Sequence, residues 1–143
     1  METQASVGKI QALVNAAGSS MTVLGGNAGS LLLEEMAAGS RGTMPATVMP
    51  HVYRTVWDRA ASGDAVSAQE LFDRYFPIIR LTNVPGIGPG LVKSLLSWAG
   101  IIDHAGVRGP SPEPDPTMLR ALRGAAERLR ILDIMRGRAH VDG

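Results

Sequence analysis

The chain has 143 residues, 45% hydrophobic and 19% charged, with a formal net charge of +1; this composition suits one globular domain with a real core and excludes both a disordered chain and one steered by bulk charge toward nucleic acid or acidic lipid. It has no cysteine, which excludes a disulfide framework and a thiolate metal site and favours a cytoplasmic location. No apolar run reaches the roughly 18 residues of a membrane helix, the start METQASVGKI lacks the basic and apolar stretches of a signal peptide, and His51, His104 and His140 lie too far apart in sequence for metal-ligand spacing.

Residues 6–18, SVGKIQALVNAAG, place Val7, Ile10, Leu13 and Val14 on one helical face, and Gly18 can close that helix. MTVLGG follows, short and apolar, and predicts a buried strand at about 21–25 that stops at the double glycine. Residues 28–38 read as a helix capped by Ser30 and stopped by Gly39. A second strand is expected at about 41–46, with Pro45 at its C-terminal end because proline cannot donate to a ladder. Residues 49–62 form a helix with Pro50 in its first turn. The alternation to this point is that of a parallel α/β sheet, and everything after residue 48 is expected to be helix or loop. Residues 64–80 place Ala68, Leu71, Phe72, Tyr75 and Phe76 on one side of a helix, and residues 88–99 form another. The turn-rich GVRGPSPEPDP leads to a last helix over about 116–136, with Met118, Leu122, Ala125, Leu129 and Leu132 at spacings of three and four. Arg120, Arg123, Arg128, Arg130, Arg136 and Arg138 lie on or just after it and read as a solvated basic face.

Two motifs compete for a function. VPGIGPGLVKSLL, residues 84–96, is similar to the helix-hairpin-helix of DNA-binding proteins, in which glycines bring backbone N–H groups and a helix N-terminus to a phosphate. Its surroundings argue against that use. Between residues 64 and 100 Arg74, Arg80 and Lys93 are offset by Asp64, Glu70 and Asp73, and phosphate binding draws its affinity from cations. A tight helix–turn–helix corner, with Pro85 ending one segment and glycines permitting the turn, is the simpler account. Two strands also cannot form a sheet covered on both faces, which leaves either a small mixed domain or part of a larger fold, a full barrel needing about 250 residues.

The order and spacing of KIQALVNAAGSSMTVLGGNAGSLLLEEMAAGSRGTMPATVMPHVYRTVWDRAASGD, then NVPGIGPGLVKSLLSWAGI and the proline-rich connector, resemble the dihydrodipicolinate synthase / N-acetylneuraminate lyase family of class I Schiff-base aldolases, over residues 1 to about 132. The resemblance implies an α/β fold, the C-terminal half of a (β/α)8 TIM barrel. Residues 1–62 would carry strands seven and eight with their helices, and residues 63–143 a three-helix C-terminal extension. It implies aldol-type carbon–carbon lyase or synthase chemistry on pyruvate or another 2-oxo acid, through a lysine imine that acts as an electron sink. A tyrosine on an earlier strand would move the proton, and hydroxyls near the second strand would grip the carboxylate.

Met1-Glu2-Thr3 fits the residues that follow the family's lysine, which would fall just before Met1. Lys9 and Lys93 do not match that nucleophile, and Tyr53 and Tyr75 match no catalytic tyrosine, so no catalytic residue is expected in this chain. Substrate-binding positions carried over by the resemblance are Gly25, Gly26 and Asn27 at the end of strand seven and Thr43, Met44 and Pro45 at the end of strand eight. GGNAG and GTMPA look closer to sugar-acid or general members of the family than to the lysine-biosynthesis enzyme. No metal or organic cofactor is implied; a 2-oxo acid or sugar-acid substrate and a homo-oligomer are. A truncated form, inactive by itself, is the leading expectation. A helical protein-interaction module is the alternative, followed by a nucleic-acid binder at residues 84–96.

Overall fold

A computed structural model describes residues 7–141, so Met1, Glu2, Thr3 and Ser6 lie outside the described residues. The elements run α1 (Val7–Ala17), β1 (Gly25–Ala28), α2 (Leu32–Ala37), β2 (Thr43–Pro45), α3 (Pro50–Ala61), α4 (Ala65–Thr82), α5 (Gly88–Trp98), α6 (Pro116–Arg128) and α7 (Ile131–Met135). β1 and β2 pair in parallel, Gly25 opposite Thr43 and Ala28 opposite Pro45, with an irregularity between. Among the described residues no strand follows β2, as expected.

The first strand differs from expectation. It begins at the double glycine instead of ending there, because hydrogen bonding rather than apolarity decides its extent. Arg41 N donates to Val23 O (2.9 Å) and Gly25 N to Gly42 O (2.8 Å), so the ladder begins near Val23 and runs into GGNA. Met21 and Leu24 were read as buried and are instead 72% and 49% exposed. β2 is shorter than the expected 41–46 and ends at Pro45, where proline was placed.

Most helices start and stop where their chemistry directs. Gly18 and Gly39 turn through positive φ (+54° and +92°) after α1 and α2. Asp64 caps α4 by accepting from Ser67 N (3.2 Å), and Asp115 caps α6 by accepting from Thr117 N and Met118 N (2.8 and 3.0 Å). Ser30 does not cap α2. Its hydroxyl accepts from Asn27 Nδ2 (2.8 Å), and the helix starts later because residues 25–28 belong to the strand. The expected single helix at 116–136 is two: Arg130 adopts a left-handed φ of +54° and separates α6 from α7, so the extension has four helices rather than three. Phe76, expected on the buried side of α4, is partly exposed, while Ala68, Leu71, Phe72 and Tyr75 are buried.

One core joins these parts. It runs from Leu32 and Val52 through Tyr75, Leu91 and Leu122 to Ile134 and Val141, so it is continuous across residues 62 and 63. Tyr75 ties the ends together, its hydroxyl donating to Val141 O (3.2 Å). α1 contributes no fully buried residue; Val7, Ile10 and Val14 are half-buried, and Leu13, expected on the same face, is exposed. Two of the arginines read as a solvated face instead hold helices together. Arg136 donates to Trp98 O (2.6 Å) and Ala99 O (3.1 Å) at the end of α5, and Arg123 stacks on Trp98 at 4.2 Å.

Candidate substrate site at the strand ends

β1 ends in unusual backbone. Asn27 and Ala28 have φ of +52° and +54°, followed by Gly29 at +74°. A left-handed residue other than glycine costs about 1–2 kcal/mol, so something must hold the segment. Tyr53 of α3 donates its buried hydroxyl to Ala28 O (2.7 Å); burial raises the phenol's pKa, which keeps it a neutral donor. Gly29 makes room for that tyrosine, since a Cβ there would sit 2.5 Å from the ring. Asn83, at the end of α4, reaches across 56 residues of sequence to donate to the carbonyl and side-chain oxygens of Asn27 (3.3 Å each).

Beside this segment lies a depression of about 640 Å³. Asn27, Ala28 and Pro45 line it from the strand ends, Thr47 from the segment after β2, and Asn83 and Lys93 from the helical extension. Lys93 is its one charged residue among those described; its ammonium donates to Gly106 O (2.7 Å). The turn between α4 and α5, VPGIGPG, forms the far wall. Packing accounts for two of its glycines: a Cβ at Gly88 would meet Thr82 O at 2.6 Å, and one at Gly90 would meet Pro114 at 2.6 Å.

Behind the strands, on the α2 side, sits a buried carboxyl. Glu35 is 2% exposed. Its Oε1 accepts weakly from Gly26 N (3.5 Å), and its Oε2 and the Thr43 hydroxyl have no hydrogen-bond partner among the described residues. Burial pushes its pKa above the usual carboxylate value, reinforced by Glu34, while the Gly26 amide pulls the other way. Ser40 completes the underside, its hydroxyl donating to Gly42 O (2.5 Å) and accepting from Gly25 N (3.1 Å).

No protein-family model and no curated protein matches the chain. Solved structures do. Dihydrodipicolinate synthase from Rhodopseudomonas palustris matches with a TM-score of 0.77 at 27% identity, over 86% of this chain and 42% of that one. The Aquifex aeolicus dihydrodipicolinate synthase matches with 0.78 at 26%, over 91% and 44%. The chain is thus similar to about half the length of a dihydrodipicolinate synthase. A third structure, 4-hydroxy-tetrahydrodipicolinate synthase from Methylacidiphilum fumariolicum SolV, shares the fold at 22% identity, with a TM-score of 0.78 over 95% of this chain and 45% of that one. The chain thus spans less than half the length of the solved structures it matches. Those neighbours are TIM barrels, so β1 and β2 are two adjacent staves of a barrel wall and the depression lies at their C-terminal ends, where dihydrodipicolinate synthase-like folds and other barrels place their sites.

At those strand ends the six expected positions separate. Asn27 and Pro45 line the depression. Thr43 and Pro45 also line a smaller hollow of about 280 Å³ with Tyr53 and Trp57. Gly25 is turned away, since a Cβ there would collide with the Glu35 carboxylate, and its smallness serves packing. Gly26 faces open space, and Met44 is 60% exposed. Sequence reasoning missed Asn83, Lys93 and Glu35 as site components. Asn83 and Lys93 were hidden because the extension folds back over the strand ends. Glu35 did leave a signal: Leu32, Glu35 and Ala38 recur every three residues and all are buried.

Proposed function

We propose that this chain is the C-terminal portion of a class I Schiff-base aldolase acting on pyruvate or another 2-oxo acid, and that residues 7–141 supply one wall of the site without its reactive amine. The aldolase reading is carried by the fold match to dihydrodipicolinate synthases, and its missing amine by the position of the two lysines. Lys9 is exposed on α1, a helix with no fully buried residue. Lys93 reaches the depression from the extension, but its ammonium is held on the Gly106 carbonyl. Neither stands on a strand, and an imine-forming lysine must be presented to the ketone with its charged form disfavoured by burial or neighbouring cations. The chain on its own is therefore inactive.

Several further assignments belong to the same proposal. Residues 1–62 are barrel wall and residues 63–143 the helical extension. Gly25, Gly26, Asn27, Thr43, Met44 and Pro45 form the substrate side of the strand ends, Gly25 indirectly through Glu35. The substrate is a 2-oxo acid or sugar acid, the assembly a homo-oligomer, and the location cytoplasmic. The test is trapping. With pyruvate and borohydride, the purified chain gains no pyruvate-derived mass; an adduct mapped to Lys9 or Lys93 by peptide mass spectrometry refutes the reading.

A further inference from the structure

Among the described residues Glu35 is the only charged side chain that is fully buried. An ionised carboxylate can accept about four hydrogen bonds. This one receives a weak donation from Gly26 N at 3.5 Å, and its Oε2 has no partner among the described residues. No cation is set against it there either. Around α2 pack α1, α3 and β1. Lys9 of α1 and Arg41 before β2 are exposed. On α3, Arg54 is paired with Asp58, Arg59 donates to Ser67, Tyr53 donates to Ala28 O, and His51 lines a hollow with the C-terminal segment. Glu34, its neighbour on α2, carries like charge and disfavours ionisation further. A buried anion with so few partners is costly, whereas the neutral acid is tolerated.

Little else holds α2 in place. It has six residues, no side-chain cap, and Leu32 as its one side chain in the buried core. A helix this short has no stability of its own. We propose that Glu35 is a pH-sensitive latch: as the neutral acid it seats α2 against the β1–β2 pair, and on losing its proton it releases α2 and the backbone at Gly25 and Gly26 while α3 to α7 stay folded. The seat is shaped for this side chain, since a Cβ on Gly25 would occupy the carboxylate's place. Release reaches β1 through Gly26 N and through Ser40, whose hydroxyl accepts from Gly25 N. Asn27 and Ala28 are held from the other side by Asn83 and Tyr53, so the opening stops short of them. Burial raises the carboxyl's pKa, so the latch acts above the ordinary carboxylate range. This property is independent of any aldolase chemistry and stands or falls without it.

Amide hydrogen exchange of the ¹⁵N-labelled chain, followed by NMR over a pH series and corrected for intrinsic rates, reads the opening. The amides of Glu35, Ala38 and Ser40, each bonded within or just after α2, are the reporters. Between the ordinary carboxylate value and the raised one, opening releases one proton. Their opening constants are therefore expected to rise about tenfold per pH unit and to level off above that window. They are expected to exceed those of α4 at every pH, which marks the opening as local. Glu35→Gln, whose side-chain amide does not titrate, is expected to flatten the profile. A flat profile in the parent chain, an unchanged slope in Glu35→Gln, or one opening constant shared by α2 and α4 overturns the proposal. Should Glu35→Gln fail to fold, the ¹³C titration of the Glu35 carboxyl decides: a midpoint above the ordinary range supports the latch, and a midpoint within it overturns it.

Discussion

The two adjacent glycines at the start of β1 offer a sharp test of how the site is supported. A Cβ on Gly25 points at the Glu35 carboxylate and cannot be accommodated without moving it, whereas a Cβ on Gly26 meets nothing within 4 Å, and neither residue has a positive φ. Gly25→Ala must push a buried carboxyl off its place between Gly26 N and Thr43, and overpacking of this kind costs about 1–3 kcal/mol. Gly26→Ala should stay within about 0.5 kcal/mol of the parent, as expected for a substitution into open space. Urea denaturation followed by far-ultraviolet circular dichroism reads the difference. With an m-value of about 1–2 kcal/mol/M, a loss of about 2 kcal/mol moves the midpoint by about 1–2 M. Glu35→Ala in the Gly25→Ala background should recover most of the loss, because the collision is with that side chain, so the two substitutions will not be additive. Equal effects at Gly25 and Gly26, or strict additivity of Gly25→Ala with Glu35→Ala, would refute the reasoning.

Glu35 also makes stability pH-dependent. Its folded pKa is raised above the ordinary 4.5, so its contribution is fully present below that value and is lost as pH rises through the raised one. The melting temperature of Glu35→Gln should therefore match the parent where Glu35 is protonated in both states and exceed it once the pH passes the ordinary carboxylate value; a constant gap would refute the assignment. Arg136→Ala removes the donors on Trp98 O and Ala99 O and should cost about 1–3 kcal/mol, with faster amide exchange at the end of α5 and in α7 as the local readout. Both outer edges of the β1–β2 pair lack a strand neighbour among the described residues, and Met21, Leu24 and Met44 are exposed beside them. Analytical ultracentrifugation of the chain alone should show concentration-dependent association; a monodisperse monomer that melts cooperatively would show those edges to be self-sufficient.

Local rules were enough for much of this molecule. The order of helices and strands, Pro45 at a strand end, Pro50 in a first turn and the glycines that stop α1 and α2 all follow from backbone chemistry confined to a few residues, which any sequence displays directly. The resemblance to dihydrodipicolinate synthase rests on the same order, and the fold bears it out. Where neighbours distant in sequence decide, local rules ran out. The strand at 21–25 moved to Gly25–Ala28 because its hydrogen-bond partners are Arg41, Gly42 and Ser40, and apolar side chains alone do not set a ladder. The last helix broke at Arg130, a residue type that gives no local warning of a left-handed turn. Glu35 was drawn inside by the sheet it backs, while Asn83 and Lys93 reached the strand ends only because α4 and α5 fold back over them. Secondary structure is written in contacts a few residues apart. A depression lined by residues 27, 45, 83 and 93 exists only after the chain has packed, since the free energy that brings them together comes from burying a core that none of them belongs to.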